Sequence, residues 1–452
     1  MKNRSHGLGI RESGKTKPKK HFTNPEPRYL REFTMGQTIA EKILSSHSAK
    51  KVQAGDITLA RVDFVMAQDG TAPLVIKAFE RFEADRVFDR NKAVFVIDHN
   101  SPSQSQGVSA LHKMMRDFSS KYGIGLFDIG EGVCHVLLPE KGLVKCGDLV
   151  LGADSHTPTY GALNAMSCGV GSTDLAIALL TGNLWFKVPQ TVKVVLKGKI
   201  PRGVFGKDIA LAIVRKLTAE GALYRSVEIK GETLGSLSMS ARFTICNLTA
   251  EVGAKCGIME ADEETVRWLR EHDARTAKPV FADKDAAYEK EVEIDVTGMP
   301  PQVAMPHAVD NVADIEKIEG TVIHQAFIGT CTNGRTEDFE VAARILKGRK
   351  VKRGIRLICT PGSREIYLEC MKKGYVQAIT EAGGCVTNPG CGPCVGTHQG
   401  VPSDGENVIS TANRNFKGRM GNQNAFIYLA SPATVVASSL DGKITDPRRY
   451  LK

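Results

Sequence analysis

Two thiols, Cys391 and Cys394, flank Gly392-Pro393 in a stretch, residues 383–400, too rich in glycine to be the interior of a helix or strand. Such a loop can wrap its backbone closely around a metal. A third thiol, Cys331, opens the segment Cys-Thr-Asn-Gly-Arg some sixty residues earlier. A lone Cys-x-x-Cys arises in zinc sites, in redox pairs and by chance. No second pair completes a four-thiolate zinc site, whereas three thiolates suit an iron–sulfur cluster with one iron left without a protein thiolate. Such an iron is a Lewis acid with room for a substrate. A zinc site closed by the nearby His398 is the competing arrangement. Cys168, Cys246, Cys359 and Cys370 sit singly among apolar neighbours and read as small buried hydrophobes. Eleven cysteines behind an N-terminus with no apolar leader do not suggest a disulfide scaffold.

The positioning elements are apolar runs that alternate with helical patterns, the mark of an α/β architecture. AVFVID (93–98), DLVLGAD (148–154), HQAFIG (324–329), RLICT (356–360) and NVISTAN (407–413) read as buried strands, and TVKVVLKGKI (191–200) as a half-exposed one. KDIALAIVRKLT (207–218) has helical spacing, as does MGQTIAEKIL from Met35. Thr336 is expected to cap the helix EDFEVAARILKG, and Ser363 a helix that runs through Lys373 and ends at Gly374. The segment MPPQVAMPHAV (299–309) carries three prolines and is expected to separate two folded regions. No short-period repeat is present.

Chemically capable residues follow directly after the strands: Asp98-His99, Asp154-Ser155-His156, Cys331 and Asn413-Arg414. Open α/β sheets bind ligands beyond the carboxyl ends of their strands, so four such clusters point to one composite site. Each residue also has a plainer role open to it. A His or Asp beyond a strand can be a turn or cap residue. Arg414 and Arg419 can brace a loop against carboxylates, and Gln68 can satisfy a buried backbone group.

The chain has 452 residues, room for two to four domains, with 42% hydrophobic and 24% charged residues, which excludes wholesale disorder. No window approaches the ~18 consecutive apolar residues of a spanning helix. The net charge of +10 is localised: residues 1–34 hold nine Lys/Arg against three Glu, and the other 418 residues carry only +4. That segment is too poor in apolar residues to fold alone. A solvated extension, or a misplaced start upstream of Met35, is expected rather than a nucleic-acid arm.

From Met35 to the C-terminus the motifs resemble those of the aconitase superfamily, and within it the large subunits of 3-isopropylmalate dehydratases. The resemblance rests on Gln68-Asp69-Gly70-Thr71, Asp98-His99, His135, Gly152-Ala153-Asp154-Ser155-His156-Thr157, and Asn247 with Glu251. It continues through Gly329-Thr330-Cys331-Thr332-Asn333, Cys391-Gly-Pro-Cys394 and Asn413-Arg414-Asn415-Phe416 with Arg419. It implies three αβα domains around a 4Fe-4S cluster, with boundaries near residues 190 and 310. It implies one cluster per chain, on Cys331, Cys391 and Cys394, its fourth iron binding substrate hydroxyl and carboxylate. It further implies His99 with Asp98 as the acid that protonates the leaving hydroxyl, and His135 with Asp154 and His156 with Glu251 as supporting pairs. Gln68, Ser155, Arg414 and Arg419 would bind substrate, and Asn247 and Asn413 would neighbour the cluster.

In the superfamily a swivelling domain supplies the serine base, and only about thirty residues follow Arg419. The resemblance therefore implies a separate small subunit carrying that domain, a soluble cytoplasmic assembly, and a chain nearly inactive alone. Substrates of homoaconitase or dimethylmalate dehydratase type are the alternatives within this class. An RNA-binding cluster sensor would need a basic body, which +4 does not supply; a zinc-stabilised scaffold would hold zinc and no sulfide.

Overall fold

The computed structural model describes residues 36–272 and 278–451. The basic segment 1–34 lies outside the described residues, as does Met35. The helical pattern expected from Met35 becomes a helix only at Ile39, because Thr38 and Glu41 form a capping box at its start.

Three larger sheets, besides the antiparallel pair Ile57–Arg61 and Asn183–Lys187, organise the described residues. The first is five-stranded and wholly parallel, in the order Gly125–Phe127, Ala93–Val96, Phe64–Gln68, Leu149–Gly152, Met166–Gly169. Its three central strands are buried along their whole length, so they read as continuous apolar runs rather than alternating ones. Their side chains still alternate between faces. Val65, Ala67, Phe95, Leu149 and Leu151 enter one core with helices Ile39–Ser46, Ala72–Glu80, Gln106–Tyr122 and Ser172–Thr181. Phe64, Met66, Val94, Val96 and Val150 enter a second core, continuous with the rest of the molecule.

The second sheet is four-stranded and parallel, in the order Cys256–Met259, Ser226–Lys230, Thr191–Lys197, Lys290–Asp295. Helices Gly206–Leu217 and Met239–Leu248 connect its strands. The third has seven strands: Val312–Asp314, Gln302–Ala304, Phe426–Leu429, Asn407–Ser410, Gln325–Ile328, Arg356–Cys359, Cys385–Val386.

Two local expectations change. The proline-bearing segment follows the last strand of the second sheet and is not all linker, because Gln302–Ala304 joins the third sheet antiparallel to Phe426–Leu429. Its prolines flank the strand rather than interrupt it, so no ladder donor is lost. Thr336 is the first residue of helix Thr336–Leu346 and not its cap; Asp338 takes the Arg335 amide at 2.9 Å, and the Thr336 hydroxyl donates to Glu369. Ser363 does cap its helix, Arg364–Lys372, by accepting from the Ile366 amide, and Gly374 follows at φ +76°.

Candidate active site and metal centre

The strand ends deliver the expected residues to one place. Strand Gln325–Ile328 ends at Gly329, and Thr330 then adopts φ +71°. For a β-branched residue that conformation costs on the order of 1–3 kcal/mol, and it starts the single helical turn Thr330–Asn333 that carries Cys331. In the other thiol loop Gly392 sits at φ +58°, where a Cβ would stand 2.9 Å from the Thr360 hydroxyl. Only glycine fits between the two thiols there.

One amide ties two of these thiols together. Asn413 donates from Nδ2 to Cys331 Sγ at 3.4 Å, and its Oδ1 lies 3.5 Å from Cys394 Sγ. Asn247, on helix Met239–Leu248, also donates to Cys331 Sγ, at 3.1 Å, and its Oδ1 accepts from Asn413 at 3.2 Å. Arg419 donates from Nη2 to Cys394 Sγ at 3.3 Å. The third thiol lies with its sulfur within 4.8 Å of ligand atoms of Asp98 and His99. All three are buried, and burial pushes Cys331 up to about 12 and Cys391 well above the ordinary thiol range. Buried thiols that must be deprotonated to act are suited to a metal that displaces their protons. The buried Nε of Arg419, whose Nη2 meets Cys394, has no partner among the described residues. These donors fit an iron–sulfur cluster. His398 does not complete the set, since its Nε2 lies 3.1 Å from the His99 carbonyl oxygen.

Around the thiols stand the histidine–carboxylate pairs. Asp98 Oδ1 lies 2.7 Å from His99 Nδ1, while its Oδ2 accepts from the Cys134 amide at 2.8 Å. Burial disfavours the charged His99, but Cys391 and Asp98 outweigh it and hold the imidazole well above its ordinary value. Asp154 Oδ1 is 2.8 Å from His135 Nε2, and Oδ2 is 3.6 Å from His99 Nε2. Burial works against that carboxylate too, yet the surrounding histidines keep it well below the usual range. His156 Nε2 meets Glu251 Oε1 at 2.8 Å, and Arg414 Nε spans both oxygens of Glu251 at 2.9 and 3.0 Å. Bracing through Nε leaves the terminal nitrogens of Arg414 without a protein partner among the described residues. Gln68 Nε2 donates to Asp154 Oδ2 at 3.3 Å, and Ser155 Oγ lies 3.5 Å from His156 Nδ1. Asp154 and Ser155 open onto a cleft of about 620 Å³ that Thr71, Pro158 and Lys255 also line.

Sequence reasoning left several positioning residues unassigned. Asp69 accepts from the amides of Asp98, His99 and Asn100 and from His112 Nε2, at 2.7 to 3.2 Å. It follows strand Phe64–Gln68, so the rule that found Asp98 would have found it. Tyr160 OH, 3.1 Å from His135 Nδ1, and Thr159, which accepts from Asn247 at 2.8 Å, carried no such signal. Neither did Lys207.

The model of the aconitase family (aconitate hydratase) matches residues 41–442. The chain belongs to the aconitase family, and its architecture is the aconitase-type α/β fold. Among curated proteins it is 51% identical over 422 residues to 3-isopropylmalate dehydratase large subunit 2 of Archaeoglobus fulgidus, covering 92% of this chain and all of that one. It is likewise 51% identical over 423 residues to large subunit 1 of the same enzyme from Thermotoga maritima, again over 92% of this chain and all of the relative. Large subunit 1 from Methanopyrus kandleri is 46% identical over 418 residues, with the same coverage. Among solved structures, aconitase X of Thermococcus kodakaraensis is 15% identical over 83% of this chain and 88% of that one, at a TM-score of 0.47, a likeness too loose to bear on the assignment.

Proposed function

We propose that this chain is the large, cluster-bearing subunit of a hydro-lyase that interconverts 2-isopropylmalate and 3-isopropylmalate by dehydration and rehydration, a step of leucine biosynthesis. The observation that carries the reading is a trio of buried thiols, of which Asn413 bridges Cys331 and Cys394 while Cys391 lies against the His99–Asp98 pair. The names of the relatives, at about half identity over their full length, supply the substrate.

In this reading Cys331, Cys391 and Cys394 hold one 4Fe-4S cluster, with one iron not bound by a protein cysteine. When bound, the cluster supplies a Lewis acid that polarises the departing oxygen and a substrate carboxylate. The protein's own residues do the rest. His99, kept protonated by Asp98, delivers a proton from Nε2 to the leaving hydroxyl. Asp154 holds the rings of His135 and His99 in place. Arg414, steadied by Glu251, turns its terminal nitrogens to a substrate carboxylate. Gln68, Ser155 and Arg419 add polar contacts, and Asn247 and Asn413 donate to the sulfurs.

The base that removes the C–H proton is assigned to a small subunit that brings the swivel domain and its serine over the cleft. The assembly is placed in the cytoplasm. Among the described residues no helix is long and apolar enough to cross a membrane. The chain is read as three aconitase-like units, 35–189, 190–310 and 311–452.

The test is anaerobic hydration of isopropylmaleate by the chain with and without its small subunit, alongside iron and sulfide analysis. Turnover only in the mixture, with iron and sulfide in equal amounts on the large subunit, is the expected result. A loaded cluster without turnover would move the substrate to another hydroxy-acid, such as homoaconitate. Zinc without sulfide would overturn the reading.

A further inference from the structure

Lys207 is buried to 0% exposure, among the largest side chains fully removed from solvent. It lies in the first turn of helix Gly206–Leu217, where the aligned peptide dipoles disfavour a positive charge. Among the described residues no carboxylate lies within ion-pairing distance of its Nζ. A buried, unpaired ammonium costs several kcal/mol even after relaxation. Nothing in its own helix compensates that cost, and a broken local rule of this kind signals function.

Its contacts lead to the thiols. Nζ donates to the carbonyl oxygens of Thr411 at 2.9 Å and Ala412 at 2.7 Å. The next residue is Asn413, whose amide touches both Cys331 and Cys394. The Thr411 carbonyl also accepts from the Thr332 hydroxyl at 2.6 Å, and the Gly329 amide donates to the Thr411 hydroxyl at 3.0 Å. Lys207 thus fastens its own helix to the Asn413 segment, which Thr332 and Gly329 tie in turn to the stretch that bears Cys331. Burial pulls its ammonium down to about 8, and the charges that oppose this most are those of Cys331 and Cys394 as thiolates, ahead of Glu251 and Asp338.

We infer that Lys207 is a positioning residue and the buried counter-cation of the cluster site: its fixed charge offsets the negative charge that Cys331, Cys391 and Cys394 acquire as thiolates, while its two hydrogen bonds hold Asn413 against their sulfurs. This rests on the reading of those three thiols as cluster ligands. A charge of this kind stabilises the loaded protein and strains the empty one. A purely structural tie would stabilise both.

The test compares wild type, Lys207→Met and Lys207→Arg in the full chain. Thermal unfolding is measured without cluster, and iron release to a chelator is timed anaerobically after reconstitution. The expected result has opposite signs in the two states. Empty Lys207→Met unfolds at or above the wild-type temperature, because an apolar side chain of similar length replaces an unpaired charge. Loaded Lys207→Met releases iron about tenfold faster or more, since removing one partner exposes the other charge, and its cluster reduction potential falls. Lys207→Arg keeps the wild-type potential. The inference is overturned if the empty Met variant is markedly destabilised or insoluble, or if iron release and potential match wild type. Failure of the wild type itself to take up iron and sulfide would instead sink the cluster reading on which it stands.

Discussion

Asp98 and His99 are consecutive in the chain and bonded to each other through their side chains, Oδ1 to Nδ1 at 2.7 Å. Neighbours in a strand would point to opposite faces, but this pair lies just past the strand end, where the backbone is free to turn. The contact fixes the ring so that Nε2 faces Asp154 and the thiol cluster. In the assembled enzyme, Asp98→Asn and His99→Gln are each expected to slow turnover by roughly 100- to 10,000-fold, the range for a lost general acid. Iron and sulfide should stay at wild-type levels in His99→Gln. Loss of the cluster in that variant would show a structural role instead.

Serine in place of Cys331, Cys391 or Cys394 removes one soft ligand from a three-thiolate set. Each variant is expected to recover less iron and sulfide after anaerobic reconstitution, and to lose the visible absorption of the cluster. Full retention in any one of them would strike that thiol from the ligand set.

Asp69 holds the loop that carries Asp98 and His99. Burial raises its carboxyl, but His112 and the loop donors win and keep it well below its ordinary 3.8. A depressed folded value means the stabilisation is complete above about pH 4 and is lost as the pH falls further. Asp69→Asn should cost about 1–3 kcal/mol at pH 7, as for a buried charged acceptor removed. In denaturant titrations the gap between wild type and variant should close on the acid side. A gap independent of pH would contradict the assignment.

Asp148 has the opposite sign. Burial first and the neighbouring Asp63 second push it up to about 7. Its folded value exceeds the unfolded one, so the penalty is absent below about pH 4, grows between pH 4 and 7, and is complete above that. Asp148→Asn keeps an acceptor for the Lys145 amide. It should stabilise the protein at pH 8 by up to about 4 kcal/mol, each pKa unit being worth about 1.4 kcal/mol. No gain is expected at pH 4, and thermal melts at the two values decide it.

The strands of the first and third sheets were legible because a parallel strand covered on both faces is a short apolar run with sharp polar ends, as AVFV and QAFI are. The polar ends were legible for the same reason, since they mark where the chain leaves the sheet toward a ligand. Asn247 and Glu251 follow no strand; they lie on and just after a helix, and only the resemblance singled them out. Gln302–Ala304 was not legible as a strand because three residues between prolines carry no periodicity, and only the partners Val312–Asp314 and Phe426–Leu429 make them one.

What the sequence by itself determined is the inventory: three thiols, three histidines, their carboxylates and the strand ends that present them. Residue type and local pattern are properties of neighbours in the chain, so they can be read there. Which carboxylate serves which imidazole was offered by the family resemblance, but no local pattern contains it, and the contact itself is made by the tertiary structure. Asp154 reaches His135 across 19 residues, and Glu251 reaches His156 across 95. Lys207 makes the same point more sharply. Its charge looks unremarked in the sequence of a helix start, and it acquires a meaning only where folding brings it, across 205 residues, to the carbonyl beside Asn413. Burial and long-range contact set the cost of a charge, and neither is written in the order of the residues around it.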